Sequence, residues 1–219
     1  MTLQRFGAFA SFGCAATYLF GFAFLVTVLA PLGFGSSEID VPAVVQFSVD
    51  QTGFMLLWNT VIYIVNALAL AVLVVALHAR LSLHTPSLAQ VTQALGIIWA
   101  TLVLGAGMIA NVATEHTAQI GATDPDAAAA LWEILHAVEL GLGGGNEIAG
   151  GIWIGLVSIA GLKGRSLGKI AIALGLLTGL GGLATLVPAI GDIAGAVFGL
   201  GAIAWFIATG VALLSPPKG

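Results

Sequence analysis

The residues with the most chemical reach in this chain crowd one stretch: Glu133, His136, Glu139, Asn146 and Glu147. At 100° per residue they fall within an arc of about 140°, so one face of one helix is polar. Glu133 and His136 stand at i, i+3, a spacing that aims two ligands at one metal from a single helix. Glu115-His116 lies at the end of the preceding apolar stretch. A diiron carboxylate site would need a second Glu-x-x-His copy, and the sequence has one. The single cysteine, Cys14, excludes an intramolecular disulfide and multi-thiolate metal sites. A zinc-like site at an outer rim, held by His116, Glu133 and His136, is the metal chemistry these residues allow. No cofactor is otherwise implied. His78 and His84 fall at the opposite end from His116 and His136, so paired axial ligation of a haem is poorly served.

A second set, Asn59, Tyr63 and Asn66, recurs at i, i+4 and i+7 and so forms one stripe of a helix, and Asn111 sits near the end of the next. With Glu139, Asn146 and Glu147 these residues are expected to line an outward-opening polar pocket, with Asn66 and Glu147 near its floor. The alternative is a hydrogen-bond network that joins helices, contributing about 1 kcal/mol or less per bond.

The elements that must carry these side chains follow from composition. Of 219 residues, 59% are hydrophobic and 7% charged, and the mean hydropathy is +1.08. A soluble domain carries about 25% charged residues, so the chain belongs in a bilayer. That excludes a soluble enzyme and a disordered tail, and six bases against ten acids give no basic stripe for nucleic acid. The expected fold is all-α, a single domain of six transmembrane helices over approximately 6–31, 51–79, 88–113, 126–162, 168–188 and 192–215. The first apolar stretch is longer than the 7–15 residues of a signal peptide, which predicts a retained span. With six spans, Arg5, Arg80, Lys163, Arg165, Lys169 and Lys218 all fall on one side. Glu38, Asp40, Asp50, Glu115, Asp124 and Asp126 fall on the other. The positive-inside rule then puts both termini in the cytoplasm, with the protein in the cell (inner) membrane.

Local chemistry marks the boundaries. Thr85-Pro86 and Asp124-Pro125 each place a capping side chain before a first-turn proline. Pro188 with Gly191-Asp192 separates the last two spans, Asp192 being a candidate cap. The apolar stretch after Pro42 is expected along the outer interface. Trp58 and Trp132 fall where an interfacial aromatic belt belongs, whereas Trp99, Trp153 and Trp205 lie deeper.

From 125 to 162 a continuous helix would be about 57 Å long, nearly twice the hydrocarbon thickness. It must therefore project outward or break near 141–145. Counted back from Lys163, Glu147 lies about 9 Å outward of the bilayer centre. Without a base nearby it is protonated, faces water or binds a cation.

Of 30 glycines, 18 lie between Gly141 and Gly201. Gly151 and Gly155, Gly175 and Gly179, and Gly191, Gly195 and Gly199 repeat at steps of four, the spacing of close helix packing in membranes. They serve packing within the chain or docking of another membrane subunit, including a second copy.

The sequence resembles a large bacterial family of six-span integral membrane proteins described as a domain of unknown function. The likeness rests on the Gly/Ala-rich first span after a basic N-terminus, Phe54-Met-Leu-Leu-Trp58-Asn59, Leu135-His136, and Leu167-Gly-Lys-Ile-Ala-Ile-Ala-Leu-Gly175. Gly143-Gly144-Gly145 and Asn146-Glu147 depart from it. The resemblance implies a fold and a membrane location, and no activity.

Short loops, glycine faces and the lack of catalytic motifs predict a non-enzymatic membrane protein, associating laterally as an accessory subunit of a larger complex. Alternatives are a small-molecule or ion binder or transporter using the pocket around Glu147, and a metal-dependent membrane enzyme using Glu133 and His136. Membrane lipids are the one partner that composition itself implies.

Overall fold

A computed structural model of the chain describes residues 2–34, 39–144 and 147–215. Among them all regular structure is helical. In chain order the α-helices are α1 (Leu3–Phe24), α2 (Val41–Asp50), α3 (Thr52–Asn59), α4 (Asn66–Leu81), α5 (Pro86–Gly121), α6 (Pro125–Glu139), α7 (Ile148–Lys163), α8 (Lys169–Ala184) and α9 (Gly191–Leu214). π-helical turns follow α1 at Leu25–Leu29, join α3 to α4 at Thr60–Val65, and follow α6 at Leu140–Gly144.

Five helical runs are long and apolar enough to cross a membrane: Leu3–Leu32, Thr52–Leu81, Pro86–Gly121, Pro125–Lys163 and Pro188–Leu214. The segment expected as the fifth of six spans is shorter. α8 has 16 residues, about 24 Å, because Val187 is extended before Pro188 and the helix stops at Ala184. Large apolar side chains face outward along these runs, among them Val26, Leu68, Leu180 and Leu200, each more than half exposed. Such a belt is a liability in water and is satisfied by lipid tails.

The cap at Asp124 forms as its residue type requires, accepting from the Ala127 N–H at 3.0 Å. Two other boundaries form differently. Thr85 donates its hydroxyl to the Leu81 carbonyl, closing the preceding helix. At α9 the cap position is Ile190 with no side-chain bond, and Asp192 lies in the first turn. The long fourth segment breaks. α-Helical geometry ends at Glu139, and Gly143 has φ 142°, a conformation open to glycine, before the helix resumes at Ile148.

The chain forms two compact units. One comprises Met1–Ala16, Asn66–Leu102 and Asn146–Gly219; the second comprises Thr17–Val65 and Val103–Gly145. In the first, α7, α8 and α9 pack closely because glycine removes the side chains between them. A Cβ on Gly151 would meet Gly182 Cα at 2.9 Å, and one on Gly179 would meet Gly155 Cα at 2.9 Å. One on Gly175 would collide with Ser158 and Trp205. These glycines therefore serve packing within the chain. Trp99, Trp153 and Trp205 form its aromatic core, each adjacent pair of rings 5.4 Å apart. Arg80, in the last turn of α4, is buried and donates to the Ser166, Ser215 and Ala212 carbonyls at 3.0, 2.9 and 3.3 Å.

In the second unit α2 packs against α6, and Val44 and Val45 are buried there. The stretch expected along the interface is thus a packed helix. Trp58 and Trp132 are buried as well, so both pack inside the protein. Phe34 sets its ring edge-on to both, at 6.1 and 6.2 Å.

Candidate functional site

The polar side chains that converge belong to the second unit. Asn59 ends α3, Tyr63 lies in the π turn, Asn111 and Thr114 are on α5, and His136 and Glu139 are on α6. Glu139 is a buried acid, 7% exposed. The Tyr63 hydroxyl donates to Glu139 Oε1, and His136 Nδ1 lies 2.8 Å from Glu139 Oε2. Toward a carboxylate oxygen, Nδ1 is the ring nitrogen that donates. The i, i+3 step that brings His136 to Glu139 is ordinary helix geometry.

The imidazole is held from its face and its edge. Trp132, one turn earlier, stacks on it with centroids 4.5 Å apart and planes at 19°, and Phe34 approaches at 6.3 Å. Asn59 donates to Thr114 Oγ1 at 3.2 Å, and Thr114 donates onward to the Ala110 carbonyl at 2.9 Å. Asn111 donates to Thr60 Oγ1 at 3.1 Å, while its own side-chain oxygen is buried with no partner.

Asn59, Thr114, His136 and Glu139 contribute the polar part of a cavity that Phe34, Met55 and Trp132 help to close. Its volume is about 20 Å³. That suffices for a single water or proton carrier and is far below the ~300–1,000 Å³ of small-molecule pockets.

The π turn at Thr60–Val65 is a local cause of this arrangement. π turns within α-helices recur at functional sites because they re-aim side chains that a straight helix would keep in register. Glycine contributes too: a Cβ on Gly107 would collide with Tyr63, so α5 admits the tyrosine ring only with glycine at 107.

Other expected site residues lie elsewhere. Asn66 and Glu147 belong to the first unit. Asn66 is buried and its carbonyl faces the Cys14 thiol at 3.9 Å. Glu147 precedes α7, its backbone N–H donating to Thr185 Oγ1 at 3.2 Å, and no base among the described residues pairs with its carboxylate. Asn146 lies outside the described residues. Among the described residues no three His, Cys, Asp or Glu side chains gather where a metal could bind. The three-ligand set of His116, Glu133 and His136 is therefore not assembled: His116 and Glu133 are exposed while His136 turns toward Glu139. Phe34, Thr60, Thr114 and Trp132 take part without having been expected to. Thr114 lies one turn from Asn111, a spacing that could have suggested it.

Of the glycines proposed as a docking face, Gly151, Gly175 and Gly179 are consumed inside the chain, and Gly199 is buried. A Cβ on Gly155 would lie 3.9 Å from Gly179 Cα, ordinary contact, whereas one on Gly191 or Gly195 would meet nothing within 4 Å. Comparison with protein-family models, with curated proteins and with solved structures finds no match, so the resemblance read from the sequence rests on its quoted residues alone.

Proposed function

We propose that this chain is a six-span integral membrane protein with both termini cytoplasmic, and that it is an ion-binding protein whose ion is the proton, held at Glu139 and His136. The observation that carries this reading is the buried Glu139 carboxylate, held by Tyr63 and His136 beside a cavity of one-water size. An acid buried among apolar side chains is costly to retain unless hydrogen bonds compensate it, as Tyr63 and His136 do here. A single free imidazole nitrogen and a one-water cavity suit a proton better than a metal or an organic solute. Glu115, His116 and Glu133, further titratable groups on α5 and α6, are exposed, whereas Glu139 is buried and His136 half-buried.

The direct test is proton uptake by protein reconstituted in liposomes after an acid pulse outside. Wild type is expected to take up protons that Glu139→Gln does not, and equal uptake by the two would overturn the proposal. The topology has its own check. Cys14 is fully buried and gives little background to a membrane-impermeant thiol reagent. In intact cells a cysteine placed at Thr123 should label and one placed at Arg165 should not; the reverse pattern would refute the orientation.

A second reading, lateral association as an accessory subunit, retains Gly191 and Gly195 as an open small-residue face. Native mass spectrometry that finds a different polypeptide retained, with no proton uptake by the chain alone, would favour it.

A further inference from the structure

In the first unit, the loop between α7 and α8 and the last turns of α9 enclose an open cavity of about 560 Å³. Arg80, Arg165 and Lys169 line it, together with Ser166, Gly168 and the apolar Ile170, Ala171, Ala208 and Val211. No acid is among its lining residues, and Arg165 and Lys169 have no ion-pair partner among the described residues. Arg80 spends three donors on the carbonyls of Ser166, Ala212 and Ser215, which neutralises the negative end of α9.

α8 starts here without a side-chain cap, its N-cap position being Gly168. The first-turn N–H groups and the positive end of its dipole therefore open on the cavity. A second, independent feature points to an absent partner: Ser166, in the cavity lining, is 3% exposed, and its hydroxyl has no hydrogen-bond partner among the described residues. The local backbone adds a third. α7 ends with Ser166 N–H bonded to the Gly161 carbonyl and Arg165 N–H to that of Leu162, a Schellman closure. Its left-handed position is held by Arg165, φ 50°, where glycine is the unstrained choice.

The other walls are apolar and open outward, with Ile170 73% and Val211 55% exposed. Cations, uncapped N–H groups and a free hydroxyl beside an outward apolar wall match a phosphate esterified to acyl chains. We propose that this cavity binds the phosphate of an anionic phospholipid, its chains lying along Ile170 and Val211, in the leaflet that faces the basic residues. The inference is independent of the proton site, since every lining residue belongs to the first unit.

The test is native mass spectrometry of the full chain from micelles containing equal phosphatidylglycerol and phosphatidylcholine. Wild type is expected to retain phosphatidylglycerol about thirtyfold in preference, as two unpaired cations at a membrane surface provide. Arg165→Gly and Lys169→Gln should each lower that preference severalfold. Arg165→Gly relieves the left-handed backbone, so it should melt no lower than wild type, which separates lost binding from lost fold. An unchanged preference in both variants would overturn the proposal. Displacement of the lipid by millimolar inorganic phosphate would also overturn it, by assigning the site to a free anion.

Discussion

Arg80→Ala is expected to be the most damaging single substitution in the first unit. The guanidinium bonds three carbonyls, one in the α7–α8 loop and two at the end of α9, and it is 4% exposed. Its removal leaves those carbonyls short of donors at a place where α4 and α9 end and α8 begins. Each buried carbonyl left short of a donor costs about 1–3 kcal/mol. A large drop in the melting temperature of the detergent-solubilised protein is the expected result. Arg80→Lys should recover only part of the loss, because an ammonium cannot present the same planar fork of donors. A variant that melts like wild type would show that the carbonyls find other partners.

Glu139→Ala is expected to have the second largest effect, and the contrast with Glu139→Gln separates its structural part from its chemical part. Alanine removes the acceptor that the half-buried Tyr63 hydroxyl and His136 Nδ1 share, and loss of such a bond to a carboxylate costs about 1–3 kcal/mol. Glutamine keeps a carbonyl oxygen for one of them and nearly the same volume, so the fold should hold while the charge is gone. A marked loss of thermal stability in the alanine variant, with the glutamine variant close to wild type, is expected by melting in detergent. Equal melting of all three would remove Glu139 from the account.

Much of this was legible before the structure. The all-helical class with several membrane-length apolar runs follows from the low charge together with the long apolar stretches. Asn59, Tyr63, Asn111, His136 and Glu139 announce themselves by being polar in apolar runs. The pairing was not legible, since a helical wheel assumes a straight α-helix. The π turn at Thr60–Val65 and the break at Gly143 interrupt the register on which the wheel depends. Glu133, the expected metal ligand, faces outward, while Glu139, expected to line a pocket, is buried. Arg80 was one of six cations that set the topology; its burial depends on where the ends of α8 and α9 come to rest, which spacing does not encode. The shortness of α8 was hidden because residues 185–187 are as compatible with a span as those before them. Pro188 ends the helix by constraining the residue that precedes it.

The central claim is that His136 and Glu139 form a protonatable centre, and Trp132 offers a built-in reporter. Protonation would place a cation on the indole face at 4.5 Å, where it interacts with the ring and alters its emission. The measurement is tryptophan emission of the reconstituted protein titrated with acid. The account requires a reversible pH-dependent change that is absent in Trp132→Phe and reduced in Glu139→Gln. Emission that does not respond to pH, or that responds identically in wild type and Glu139→Gln, would contradict it.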